Sequence, residues 1–322
     1  MRFEYSAGAF IYRIKGDKAE FLILTKSNGE HDLAKGHIEK GESAEAAAKR
    51  EIKEETNLEP QLLPFFTTKT EYFFRSRGET IHKWVKYFIG KVAPSQRVKI
   101  SYEHKGYQWL GYGESLKALG HKDLAEIFPS VLEYIRRYER MEELNREYGR
   151  LPEKAKKWEL SRRHVRGEGR LDAKIMILGQ APGRNEDVQL RPFIGRSGRL
   201  LERILKGAKI RRAEAYITSV VQFFPPANRM PSRQEIEMCE PFLFRQIEII
   251  RPEYVVLLGN LATGSILDMD EVEKNHGRII RKGGVTYMIT FHPAAALRST
   301  GTLKLMEKDF EKLSGLLSQK KS

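Results

Sequence analysis

Three glutamates stand within five positions of the segment KGHIEKGESAEAAAKREIKEETNL, residues 35–58: Glu51, Glu54 and Glu55. Spacings of three and four residues bring side chains onto one helix face. Like charges so gathered repel one another unless water or a cation separates them. A bare E-x-x-E-E is ordinarily just a solvated acidic face. Here the surroundings say more. Gly36 stands six positions before Glu42, Arg50 adjoins Glu51 where it can orient carboxylates, and Ile52 faces the other way as a core anchor. Ligands made only of oxygen suit Mg²⁺ or Mn²⁺ bridging substrate phosphates. On that reading a divalent cation offsets the repulsion.

A second group of candidates lies in the segments MILGQAPGRNEDVQLRPFIGRSGRLL, SVVQFFPPANR, GNLA and FHPAAA. Phe193 follows Pro192 in a loop, where an aromatic ring can stack on a base. Asn228 carries a donor and an acceptor suited to a base edge. His292 is a neutral or cationic donor near a strand end. Each also has a bland reading: Phe193 as a core residue, His292 as a structural one.

The elements that must position these residues fall into two patterns. In the first part, FEYSAGAFIYRI and AEFLILTK read as strands around the turn KGDK. Residues 43–56 read as a helix with Ser43 as N-cap. FTTKTEYFFR, TIHKWVKYFIGKV and YQWLGY read as further strands, and helical pattern runs from near Lys122 through VLEYIRRYERMEELNREYGR. The charged stretch LPEKAKKWELSRRHVRGEGRLD reads as a connection. Beyond it, AKIMILG, AYITSVV, EYVVLLG and GVTYMITF alternate with helical segments, which argues a doubly wound α/β sheet. Ligands of such sheets sit beyond the strand C-termini, where all four loops of the second group lie.

At 322 residues the chain is comfortable for two domains, with 40% hydrophobic residues as in soluble globular proteins. No apolar run is long enough to span a membrane, and the opening MRFEYSAGAFIYRIKGDKAE does not read as a signal peptide. One cysteine, Cys239, excludes an intramolecular disulfide and fits a reducing cytoplasm. The net charge is +14, and it is uneven: residues 1–140 carry 24 Lys+Arg against 20 Asp+Glu, residues 141–322 carry 33 against 23. The second half is therefore the stronger candidate to bind a polyanion, the alternative being plain solubility.

The glutamate segment resembles the Nudix box, G-x5-E-x7-R-E-U-x-E-E-x-G-U with U aliphatic, at Gly36, Glu42, Arg50, Glu51, Ile52, Glu54, Glu55 and Leu58. Asn57 stands where the last glycine belongs, and asparagine tolerates a left-handed turn. The resemblance covers residues 1–138 and implies an α/β/α sandwich. SAGAFIYR, DLAKGHIEKGE, YFFRSRGETIHKWVKYF and EHKGYQWL look most like the asymmetric diadenosine tetraphosphate hydrolases, with Leu33 where an aromatic is frequent. The resemblance implies that Glu51, Glu54 and Glu55 hold the metal and act in catalysis. It implies Glu103 as a further ligand or base, Gly36 and Arg50 as parts of the substrate site, and a nucleoside polyphosphate as substrate. Lys83 and Tyr87 would meet phosphate and adenine, or serve as ordinary strand residues.

The second half resembles the uracil-DNA glycosylase superfamily. It is most similar to family 4, the thermophile-type iron–sulfur enzymes with motifs G-E-x-P-G-x-x-E-D, R-P-F-x-G-x-x-G-x-L-L, I-T-N-V-V-K-C-R-P-P-x-N-R and H-P. The matches are Gly179, Pro182, Gly183, Glu186, Asp187, Pro192, Phe193, Gly195, Gly198, Asn228 and His292. The resemblance covers residues 139–322 with the connecting segment, and implies DNA as partner. It implies base flipping with Phe193 stacking on the extruded base, His292 stabilising charge on a base oxygen, water attacking near Gln180, and Leu297 and Arg298 meeting the duplex. Glu186, Ser219 and Asn228 would complete the substrate site. Three departures stand out. The family's base-reading asparagine is Ser219, its acidic residue in the first motif is Gln180, and its cluster needs four cysteines. Only Cys239 is present and Phe223 takes another ligand position, so no iron–sulfur cluster is expected.

Three readings follow: a Nudix pyrophosphohydrolase fused to a DNA glycosylase, a Nudix enzyme carrying a catalytically weak or inactive glycosylase-like DNA-binding domain, or a purely structural or interaction protein. The intact glutamate box speaks against the third. A changed base preference is a further alternative for the second half.

Overall fold

A computed structural model describes residues 2–76, 78–154 and 159–319. Arg77, within the strand-rich stretch of the first half, and residues 155–158, within the expected connection, lie outside the described residues. The chain divides into two compact units, residues 1–136 and 137–322.

The first unit contains β1 (Arg2–Lys15), β2 (Lys18–Lys26), β3 (His31–Asp32), β4 (Lys35–His37), α1 (Ala44–Thr56), β5 (Gln61–Leu62), β6 (Thr68–Ser76), β7 (Glu79–Lys91), β8 (His104–Gly111), α2 (Tyr112–Leu119) and the start of α3 (Lys122–Gly149). One sheet runs β3-β2-β1-β7-β5, with β4 beside β1, β6 beside β7 and β8 beside β2. The β1–β7 pair is parallel and the other pairs are antiparallel. Helix α1 starts where the Ser43 hydroxyl accepts the Ala46 N–H at 3.1 Å. It stops at Asn57, left-handed at φ 58°, whose N–H reaches Lys53 O. Its apolar side, Ala47, Ala48 and Ile52, seats on Ala7, Ala9, Ile11, Leu22 and Leu24. On the opposite face Phe10 and Phe21 meet Phe128 of α3 at ring distances of 5.0 and 4.7 Å. Helices therefore cover both faces of the sheet.

The second unit contains the rest of α3, α4 (Leu151–Lys154), β9 (Ile175–Gly179), α5 (Arg184–Gln189), α6 (Arg196–Gly207), β10 (Ala215–Ser219), α7 (Arg233–Ile250), β11 (Tyr254–Leu258), α8 (Asn260–Leu267), α9 (Val272–Asn275), β12 (Ile279–Lys282), β13 (Val285–Thr290), α10 (Pro293–Ala296) and α11 (Thr300–Gln319). The sheet order is β10-β9-β11-β13-β12, parallel except for the edge strand β12. Strands β9, β10 and β11 are buried at every residue, as their unbroken apolar runs require in a sheet covered on both faces. The chain goes from β9 to β10 on one side and on to β11 on the other, so a crevice opens at the C-terminal end of β9. Among the described residues no helix is long and apolar enough to cross a membrane.

The described part of the connecting segment, which the sequence places with the second half, is hydrogen-bonded into this unit. Ser161 N–H donates to Phe224 O, Val165 N–H to Gln222 O, and Glu168 bridges to Ile217. It also buries Leu160, Val165 and Leu171, apolar residues too widely spaced among charges to read as a strand or helix.

Cys239 lies fully buried on α7 among aromatic rings. Tyr148 stacks on Phe242 at 4.3 Å and 4°, and meets Phe223 edge-on at 5.2 Å and 81°. His164 stacks on Phe223 at 5.3 Å and donates from Nε2 to Gln222 Oε1 at 2.8 Å. Burial pushes the Cys239 thiol up to about 12 and the His164 imidazole down to about 4. Iron–sulfur ligation needs several thiolates. A single neutral thiol packed among rings does not fit such a cluster.

Purified protein should accordingly be colourless, and stoichiometric iron by elemental analysis would overturn this reading. Tyr148→Ala should cost about 3–5 kcal/mol in denaturant unfolding, and Cys239→Ala far less. The folded-state pKa of His164 lies below its unfolded value near 6.5, so on the acid side the unfolded chain binds more protons. The stability it contributes is complete above about pH 6.5 and is lost as pH falls toward 4. His164→Gln should flatten that acid limb of the stability curve.

Candidate functional site

The acidic site of the first unit is organised by a glycine. A Cβ placed on Gly36 would lie 2.0–2.1 Å from the Glu51 carboxylate. Only a bare backbone on β4 lets that side chain of α1 settle where it does. Arg50 then ties the segment together. Its Nε and Nη2 donate to Glu42 at 3.1 and 3.0 Å, and its Nη1 to Glu51 at 2.7 Å and Glu54 at 3.2 Å. Nη2 also reaches His37 O at 2.9 Å. With its donors so engaged, Arg50 is an organiser of the carboxylates rather than a free substrate contact.

Glu55 is the buried member of the set. Its Oε2 accepts the Lys35 N–H at 3.3 Å. Burial first, then the nearby Glu51 charge, pushes its pKa up to about 8, with Lys35 opposing. A buried carboxylate beside another and lacking a full counter-charge is costly, and a divalent cation is what such a pair can accept. The donor set thus fits a hard metal ion, with Glu51 and Glu55 as its core and Glu54 at the exposed edge. Among the described residues no three acidic or imidazole groups close on one point. Glu103 sits on an exposed turn before β8 and is not gathered with the box glutamates.

The two strand residues part company. Tyr87 is 2% exposed and packs on Phe10, so it offers no ring face to an incoming base. Lys83 is half-buried, its Nζ 3.8 Å from Glu4, and burial holds its pKa below the ordinary lysine value. Close to it in electrostatic terms is a group that sequence reading missed. Asp32, buried, is gripped by Lys26 at 2.6 Å and by Lys35. No motif signals that pairing, because the two lysines come from β2 and β4.

In the second unit the loops after β9, β10 and β13 line a cavity of about 610 Å³ that contains Gln180, Glu186, Phe193, Ser219, Asn228 and His292. The fourth expected loop, after β11, acts from behind. Gly259 is left-handed (φ 87°), and a Cβ there would come within 3.1 Å of His292 Cβ.

Phe193 is both core and site. It is 8% exposed, adopts φ 52°, lines the cavity, and stands 5.9 Å from the His292 ring. Two glycines make room for it: a Cβ on Gly179 would strike its ring at 2.4 Å, and one on Gly198 its carbonyl at 1.9 Å. Glu186 Oε1 accepts the Ile194 and Gly195 N–H groups at 3.0 and 2.7 Å. Glu186 therefore staples this loop, a different task from the substrate contact expected. Arg212 secures the carbonyl side, donating to Pro192 O at 2.8 Å and Phe193 O at 3.3 Å, and Glu168 stands 3.6 Å from its guanidinium. Neither Arg212 nor Glu168 carried a sequence signal.

His292 Nδ1 accepts the Ala294 N–H at 3.2 Å, so the ring proton resides on Nε2. Burial holds its pKa down at about 4, leaving a neutral imidazole with an Nε2–H donor at ordinary pH. Gln180 donates from Nε2 to the Met230 sulfur at 2.8 Å. Ser219, 5% exposed, ends β10 beside Gly179. Asn228, at φ 55°, is exposed on the opposite loop. Exposed Arg184, Arg196 and Arg298 also line the cavity, and Leu297 next to Arg298 is 41% exposed.

Comparison with known proteins assigns each half to a family. The NUDIX domain family matches residues 2–131 and the Uracil DNA glycosylase superfamily matches residues 166–314. The chain is 38% identical over 178 residues to the type-4 uracil-DNA glycosylase of Saccharolobus solfataricus, covering 52% of this chain and 82% of that protein. Against the type-4 enzyme of Thermotoga maritima it is 40% identical over 160 residues, 48% and 83% of the two chains. Against the asymmetrical bis(5'-nucleosyl)-tetraphosphatase of Caenorhabditis elegans it is 32% identical over 125 residues, 38% and 89%. The chain is a two-domain enzyme that belongs to the NUDIX family through its first half and to the uracil-DNA glycosylase superfamily through its second.

Proposed function

We propose that the first half is a divalent-metal-dependent pyrophosphohydrolase acting on nucleoside polyphosphates of the bis(5'-nucleosyl) type, and that the second half excises a damaged base, uracil first among candidates, from DNA. The first assignment is carried by Glu55, buried beside Glu51 without full charge compensation. The second is carried by Phe193 and a neutral His292 facing one cavity.

In the first half, Glu51, Glu54 and Glu55 would hold Mg²⁺ or Mn²⁺, which polarises a bridging phosphate and lowers the pKa of attacking water. Arg50 orients Glu51 and Glu54 through its Nη1 contacts. Glu103 is proposed as base from its position on an exposed turn, and Lys83 as a cation for the phosphate chain. Products are a nucleotide and a shortened nucleotide.

In the second half an extruded base enters the cavity and stacks on Phe193. As the glycosidic bond breaks, negative charge grows on a base oxygen, and His292 Nε2–H donates to it. A neutral donor suits this step, since it needs no proton uptake from solvent. Gln180 can orient a water through Oε1 but cannot take its proton as a carboxylate would. Ser219 offers one hydroxyl where an amide side chain offers both a donor and an acceptor. Excision should therefore be slow. The alternative, a DNA-binding module without catalysis, is favoured by these same two substitutions.

Glu55→Gln should lower metal-dependent nucleotide hydrolysis at least 100-fold while leaving the circular dichroism unchanged. In chelator the variant should melt no lower than wild type, because the amide replaces a carboxyl whose ionisation burial penalises, yet it should lack the rise in Tm expected of wild type with Mn²⁺. Wild-type rates would refute the metal assignment. Gly36→Ala should displace the Glu51 carboxylate and cost on the order of 100-fold in kcat.

On single-stranded DNA containing uracil, abasic sites should form slowly, and Ser219→Asn should raise the rate. The pH profile should show no inflection near 6.5, since His292 stays neutral down to about 4. Salt-sensitive DNA binding with no abasic sites in either protein would select the non-catalytic alternative. Arg298→Ala should weaken DNA binding and lower the salt slope by about one.

A further inference from the structure

The side of the sheet that carries α1 continues beyond the helix into an uncovered stretch. Along β1, Ala7, Ala9 and Ile11 lie beneath α1. Alternation places Tyr5 and Phe3 on the same face, and each is 56% exposed. The register sets Tyr5 opposite Trp84 and Phe3 opposite His82 on β7, and His82 opposite Phe73 on β6. The rings form a connected strip. Tyr5 stacks on Trp84 at 5.2 Å and 11°, Trp84 meets His82 at 3.6 Å, and His82 stacks on Phe73 at 4.0 Å and 22°. Its far end, Phe73, is 59% exposed.

One strand step away on the same face, Lys69 of β6 stands directly opposite Lys86 of β7. Like charges so placed destabilise a sheet. Among the described residues neither lysine has a carboxylate partner. The intervening acid, Glu71, is taken up by His82 at 2.6 Å. Arg75 extends the cationic line on β6. Exposed rings flanked by uncompensated cations are what a polynucleotide strand needs: stacking for its bases and charge for its phosphates. A second copy seated here across a two-fold axis would bring its own patch of uncompensated lysines to this one, adding like charge to the interface. An apolar peptide would leave them unpaired.

We propose that this face, with Phe3, Tyr5, Phe73 and Trp84 as the stacking rings and Lys69 and Lys86 as phosphate contacts, binds single-stranded nucleic acid. The polymer is taken to be DNA, a choice that rests on the activity proposed for the second half; the surface itself does not depend on that activity.

The test uses the full chain and fluorescein-labelled oligothymidylate of about 20 nucleotides, read by anisotropy at two salt concentrations, with an oligouridylate and a duplex of equal length in parallel. Tyr5→Ala with Trp84→Ala should weaken oligothymidylate binding by about 10-fold or more and leave duplex binding unchanged. Lys69→Glu with Lys86→Glu, at solvent-exposed positions, should do the same and reduce the single-strand salt slope by about 1.4. Circular dichroism and Tm confirm folding, and the charge-reversal pair decides the matter if the aromatic pair fails to fold. Unchanged affinity in the folded variants overturns the proposal. So does a wild-type dimer that becomes monomeric in the variants with DNA binding intact. Preference for oligouridylate overturns the assignment to DNA. Absence of uracil excision bears only on the second half.

Discussion

Close approach to bare backbone governs both halves of this chain. At Gly36 a carboxylate of α1 rests where any Cβ would sit, and at Gly179 and Gly198 the ring and carbonyl of Phe193 do the same. At Gly36 and Gly179 the contact fixes a side chain against main chain, and at Gly198 it fixes the backbone that carries the Phe193 ring. Main chain in a sheet or helix terminus moves little, so the functional group inherits the rigidity of the core beneath it. The surrounding polar contacts then act as refinements. Arg50 sets the direction of Glu51 and Glu54, while Glu186 and Arg212 hold the Phe193 loop from its amide and carbonyl sides.

Burial acts on the two sites with opposite chemical results. In both, the charged form is penalised. For Glu55 this creates a carboxylate that wants a cation, because its neighbour Glu51 adds repulsion to desolvation. For His292 it creates a neutral donor whose proton is held on Nε2 by the Ala294 amide at the other nitrogen. One site is thereby poised to gather positive charge, the other to meet negative charge as it develops.

The core around Cys239 shows a different economy. Tyr148, His164, Phe223 and Phe242 interlock beside it. Rings of this size bury large areas and fix one another's orientation, so the region beside β10 is held together by packing and by the Gln222 hydrogen bond to His164. The sheet edge that presents Ser219 is thus supported by interlocked rings.

Local features were readable from the sequence because they depend on neighbours in the chain. The α1 face, the Ser43 cap, the left-handed stop at Asn57, and the buried strands β9 to β11 all follow from spacing, side-chain type and unbroken apolar runs. The motifs likewise announced which loops would carry Phe193, Asn228 and His292. What each residue does there was decided only in three dimensions. Tyr87 and Lys83 sit on the same strand four residues apart, yet one is sealed in the core and the other half-exposed beside Glu4. Glu186 turns inward to backbone amides, and Arg212 and Glu168 acquire their partners from distant segments. The aromatic strip needed the register of three strands, one of them paired in parallel with a strand some eighty residues away. Spacing along the chain reports periodicity. Which side chains meet, and which charges remain uncompensated, is set by non-local pairing that no single segment encodes.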